Sequence, residues 1–106
     1  FMPRGRSTVV LRWGWQDGSR HRPLRLMLRP YLSGRDHHAI HRENPSFQFA
    51  PEIGPQRWTW RPYPGVPAIH ATANARFHAE PLWYRQFLYE TERERGLEEL
   101  EDLAAP

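Results

Sequence analysis

The sequence predicts an antiparallel all-β sandwich, and three observations predict it. Six segments of strand character follow one another at intervals of 8 to 15 residues. Most of them alternate apolar and polar residues, the period-two pattern of a strand with one covered face. Eleven Pro and seven Gly are spread between them as punctuation, without low-complexity character or internal repeat. Three Val and three Ile are few for a β protein. Five Trp, four Tyr and five Phe compensate, since each aromatic ring can bury about 150–250 Å². The predicted core is therefore small and aromatic.

The first segment, Ser7 to Trp15, places Val9, Leu11, Trp13 and Trp15 on one side, and Asp17-Gly18 supplies a turn. Leu24 to Leu32 puts Leu24, Leu26 and Leu28 opposite Arg25, Met27 and Arg29, so the two segments read as a hairpin. Ser46 to Ile53 carries Phe47 and Phe49 on the face opposite Ser46 and Gln48. Gln56 to Tyr63 places Trp58 and Trp60 on one face and Arg57, Thr59 and Arg61 on the other. Pro67 to Phe77 is Ala-rich and weaker, and Leu82 to Tyr89 alternates Trp83, Arg85, Phe87 and Tyr89 with Tyr84, Gln86 and Leu88. Helix is expected at two places. Asp36 to Glu43 has room for a turn before Asn44-Pro45 closes it. Glu90 to Leu103 spaces acids and Arg three to four apart, as on a solvated helix, with Gly96 ending one short element and starting another.

At 106 residues and 12.6 kDa the chain holds one domain or part of one. All 15 basic residues are Arg, and Lys and Cys are absent. Lysine Schiff bases, P-loop lysines, thiol nucleophiles, disulfides and thiolate zinc sites are thereby excluded. The sequence has neither a secretory h-region nor an apolar run near the roughly 18 residues of a membrane span, and it reads as cytoplasmic. Charge is uneven: residues 1–79 hold 12 Arg against 4 acids, and residues 80–106 hold 3 Arg against 8 acids. One reading of the basic part is a stand-alone Arg-rich module for nucleic acid or an acidic protein, with the first 42 residues as its surface. Both termini read as cuts in a longer protein.

Three clusters carry possible chemistry. In Ser33 to Pro45, Arg35, Asp36, His37, His38, His41, Glu43 and Asn44 stand close together. His37 and His41 are one helical turn apart, which invites a metal, but the Glu of an H-E-x-x-H site is missing. Asp36 beside a His would suit acid–base work. The plain alternative is a loop in which Arg35, Asp36 and Asn44 hydrogen-bond backbone, with or without ligand contact. Trp58, Trp60, Arg61 and Tyr63 form the second cluster, either core or a stacking platform for sugars or bases. Trp83, Tyr84, Arg85, Glu92, Arg95 and Gly96 form the third, read as a packed strand with an ion pair outside it. No Ser-His-Asp spacing or phosphate loop is present, and the acids gather in a tail that reads as solvated, so no catalytic residue is assigned.

At these three clusters the sequence resembles the amino-terminal domain of bacterial and archaeal type glycogen debranching enzymes, the amylo-α-1,6-glucosidases. Leu28 to Phe47, Trp60 to Pro67 and Trp83 to Pro106 match in the family's order, with His38 departing from the aromatic residue expected there. The resemblance implies the later half of a super-sandwich domain, residues 1–106 as one partial domain. Residues 90–106 would lead to the linker of an (α/α)₆ barrel that carries the acid and base. The parent would be a glycoside hydrolase acting on α-1,6-linked glucose of glycogen or limit dextrin without cofactor or metal, and this chain alone would be inactive. It further implies that Arg35, Asp36, His37, His38, His41 and Asn44 form an ordered polar loop and that Trp58, Trp60 and Tyr63 stack on α-glucan. Trp83, Tyr84 and Arg85 would be structural, and Arg95, Gly96, Glu101 and Asp102 would fix the domain exit. Open sheet edges would allow a homodimer.

Overall fold

The computed structural model describes residues 1–16, 23–36 and 38–106. Five strands and one short helix follow in the order β1 (Glu52–Gly54), β2 (Arg57–Trp60), β3 (Ile69–Thr72), β4 (Leu82–Leu88), α1 (Glu90–Glu94) and β5 (Leu100–Ala105). They form two antiparallel sheets, β1-β2-β3 and β4-β5. The all-β architecture agrees with the alternation of the sequence.

β1 and β2 are joined by Pro55-Gln56. Proline holds φ near −65°, and Gln56 has φ 55°, the φ pattern of a type II turn. In β2, Trp58 pairs with Ala71 and Trp60 with Ile69 across β3, so each indole meets a smaller apolar residue. Phe77 closes over both, at 5.7 Å from Trp58 and 5.8 Å from Trp60. The core joins these indoles to Leu32, Phe47 and Ala104, with Phe49, Tyr63 and Trp83 packed around them. Both sheets thus contribute to one apolar cluster, and it is aromatic as expected.

The first hairpin differs. Among the described residues, Ser7 to Trp15 and Leu24 to Tyr31 lie in no strand. Leu11, Trp15 and Leu26 are each 63–69% exposed. Alternation makes a strand only where a neighbouring strand supplies a ladder and a face to cover, and among the described residues no strand lies beside these segments. Pairing is confined to Leu32, which exchanges two backbone hydrogen bonds with Ala104, at 2.8 and 3.0 Å. Further upstream, the chain closes on itself. Phe1 and Val10 exchange backbone bonds at 2.7 and 2.8 Å, and Gly5 with φ 72° lets the Arg6 amide reach the Pro3 carbonyl. The Asp17-Gly18 turn lies outside the described residues.

Both places expected to be helical hold short elements, and the helix does not resume after Gly96. Asp36 to Glu43 forms the single turn expected of it, Ala39 N–H to Asp36 C=O at 3.0 Å, with no helix among the described residues. α1 covers only Glu90–Glu94. Gly96, at φ 71°, donates to Arg93 C=O while Leu97 donates to Glu92 C=O, which is a Schellman ending. The chain then turns back as β5, so residues 100–103 are strand. In this strand Glu101 and Asp102 are buried, held by partners described next.

Candidate functional site

The last strand organises the polar loop of residues 33–45. Glu101 is 1% exposed, and four donors meet its carboxylate. Arg35 binds it at two points, Nη2 to Oε2 at 3.0 Å and Nε to Oε1. The His41 amide donates to Oε1 at 3.3 Å, and the Tyr89 hydroxyl donates as well. Burial pushes the Glu101 carboxyl upward, but the hydrogen bonds from Arg35, Tyr89 and the His41 amide outweigh it and hold the group below the usual carboxylate range. Arg35 is held above its ordinary value by the same hydrogen bond.

Asp102 is buried beside it and accepts two backbone amides, Glu43 N–H on Oδ2 and Gln86 N–H on Oδ1, both at 2.9 Å. Those two amides, first Glu43 and then Gln86, depress its pKa. Gln86 belongs to a bulge in β4, where Tyr84 pairs with Leu103 but Phe87 with Glu101, leaving an extra residue. Its φ of 59° is unusual for a residue with a Cβ. The Asp102 carboxylate therefore binds the bulge of β4 and the loop at Glu43 with one group.

A hydrogen-bond chain continues from β5 into the loop. The Asp102 carbonyl only accepts, so His41 Nδ1 donates to it, at 2.9 Å. In the neutral ring Nε2 then accepts from Tyr63 Oη at 2.7 Å, and Tyr63 Oη accepts from Asn44 Nδ2 at 2.6 Å. Asn44 also donates to the Arg42 carbonyl and accepts the Ser46 amide. The His41 ring lies among Phe47, Tyr63 and Trp83, at 5.2 to 5.9 Å. Gly34 packs flat against this assembly: a Cβ there would stand 2.8 Å from the Tyr63 ring and 3.0 Å from Pro62.

The site residues expected from sequence do not all come together. Arg35, His41, Asn44, Tyr63, Glu101 and Asp102 come together in one network. Asp36 and His38 are exposed; Asp36 Oδ1 accepts the His38 amide at 2.9 Å and shapes the turn, and His37 lies outside the described residues. Trp58 and Trp60 are 8% and 2% exposed, so they are core residues and offer no open face for stacking. Trp83 sits at the edge of the core. Tyr84 packs with Tyr31 and Phe87 and receives Arg29, and Arg85 pairs with Glu43. Arg95 pairs with Glu92 at 3.3 Å on the exposed helix that Gly96 ends. Among the described residues no three His, Asp or Glu side chains gather as a metal site, and no helix is long and apolar enough to cross a membrane.

The family resemblance set Glu101 and Asp102 at the domain exit, but the reading of the residues themselves did not show that both carboxylates are buried. A local signal of that burial is their position in Leu100-Glu101-Asp102-Leu103-Ala104-Ala105, which ends in residues too small and apolar for a solvated tail.

The family model described as glycogen debranching enzyme N terminal matches residues 1–106, the whole chain. Comparison with curated proteins gave no match, and comparison with solved structures gave none either.

Proposed function

The chain belongs to the glycogen debranching enzyme N-terminal family, and on that premise we propose that it is a non-catalytic sandwich domain that helps shape the α-glucan cleft of a debranching enzyme. The observation that supports this reading is the loop of residues 33–45, whose Arg35, His41 and Asn44 are tied to β5 and Tyr63 rather than to one another's solvent shell. A loop held from a strand end is a preorganised wall, the form in which binding surfaces are commonly carried. In this reading a separate (α/α)₆ barrel hydrolyses α-1,6-linked glucose of glycogen or limit dextrin. The reading includes a cytoplasmic location, no cofactor, and residues 90–106 as the approach to the barrel.

The test uses the intact enzyme that carries this domain. Asn44→Ala and Tyr63→Phe are expected to raise KM for limit dextrin several-fold while kcat stays within about twofold, the pattern of lost ground-state and transition-state binding together. Unchanged KM in both variants would refute the cleft-shaping role. The 106-residue chain alone is expected to release no glucose.

A further inference from the structure

Beside the locked loop runs an open groove of about 680 Å³, lined by Glu43, Asn44, Pro45, Phe47, Phe49 and Trp83. Its floor is aromatic. Trp83 lies 5.2 Å from Phe47 and 5.6 Å from Phe49 in edge-to-face packing, and Phe49 and Trp83 are only half-buried, which leaves ring surface at the groove. Its rim is polar. Glu43 on the loop pairs with Arg85 on β4, and Asn44 is fixed by its bonds to Arg42, Ser46 and Tyr63.

Both sides of the rim are fastened by one group. Asp102 binds the amide of Glu43 and the amide of Gln86, the neighbour of Arg85. The bulge, with Gln86 at φ 59°, re-aims this part of β4, and such backbone outliers gather where a side chain must be placed for function. Glu43 and Arg85 cancel each other's charge, so the rim favours neither phosphate nor ammonium ligands. An aromatic floor with a few placed polar groups suits a flat, uncharged, hydroxyl-bearing ring: C–H groups lie on the rings, while carboxylate, guanidinium and amide take the hydroxyls.

We propose that this groove is an α-glucan binding site, with a glucose unit laid against Phe49 and Trp83 and its hydroxyls met by Glu43 and Arg85. The choice of α-glucan rests on the family reading above; the choice of groove rests on its geometry.

Titration of the 106-residue chain with maltoheptaose, followed by NMR at the backbone amides and the Trp83 indole N–H, tests it, with cellohexaose as the comparison. Shifts are expected at Asn44, Phe49, Trp83 and Arg85, with cellohexaose binding more weakly. Glu43→Ala/Arg85→Ala removes only an exposed pair and should stay folded, yet it is expected to weaken maltoheptaose binding about tenfold. Phe49→Leu, which keeps volume and removes the ring, should weaken it about three- to tenfold. Absence of shifts, shifts centred elsewhere, or parental affinity in both variants would overturn the groove, and equal binding of cellohexaose would overturn the α-glucan assignment. An enzyme whose KM still responds to Asn44→Ala while the groove binds nothing would leave the cleft-shaping role standing and remove only the groove.

Discussion

Arg35 and Glu101, 66 residues apart in the chain, form a two-point ion pair in which the carboxylate is 1% exposed and the guanidinium side chain 25% exposed. Desolvating a carboxylate is costly, and only complete hydrogen bonding makes such a pair tolerable. The completion comes from Tyr89 and the His41 amide, so the pair and the loop stand or fall together.

Arg35→Ala should therefore destabilise the chain by about 3 kcal/mol, because it leaves a buried carboxylate without its cation. Arg61→Ala breaks the exposed pair with Glu52 and should cost less than about 0.5 kcal/mol. Urea unfolding of the two variants side by side checks the contrast, and equal losses would contradict it.

Acid should weaken the fold through the same carboxylates. Glu101 and Asp102 both titrate below their ordinary values in the folded chain. Their contribution is complete above the ordinary carboxylate pKa of about 4 and is lost as pH falls from there toward their folded pKa values. Urea midpoints should hold level from pH 7 to about 5 and then drop, and Asp102→Asn should flatten the drop while lowering the plateau. The amide of the Asn would turn a donor toward either Glu43 N–H or Gln86 N–H, which costs about 1–3 kcal/mol.

Gly34→Ala should destabilise by more than about 1 kcal/mol although its φ is ordinary. The added methyl meets the Tyr63 ring and the rigid Pro62, and to yield, Tyr63 must leave Asn44 and His41. Thermal unfolding of Gly34→Ala measures this, and a parental Tm would show that the ring moves freely.

Much of this architecture was legible in the sequence, and the boundary of what was legible has physical causes. Trp58 and Trp60 alternate with Arg57 and Arg61, and a core stripe was one of two readings open to them; burial decides for it. Gly96 marked the end of a short element, and it does end α1. Asp36 and Asn44 were recognisable as loop organisers because their bonds to His38 and Ser46 are local. By contrast, Ser7 to Trp15 carries strand alternation without a partner strand among the described residues, a fact of tertiary context that no periodicity reveals. On the residues alone Glu101 and Asp102 belong to a tail read as solvated, because acids are normally exposed, and only the family resemblance set them at the domain exit. What overrides that rule lies about 60 residues upstream, at Arg35, His41 and Glu43, and leaves no local mark.

The central claim, that two carboxylates of β5 hold the loop of residues 33–45, is tested most directly by amide hydrogen exchange at Glu43 and Gln86. Both amides donate to Asp102 at 2.9 Å, and Glu43 lies in a loop and Gln86 in a bulge where neither has a ladder partner of its own. Their exchange should be slowed at least about a hundredfold below the unfolded-chain rate in the parent, and both should lose that protection together in Asp102→Ala while Trp58 and Trp60 in β2 keep theirs. Fast exchange at both amides in the parent, or protection unchanged in Asp102→Ala, would contradict the account.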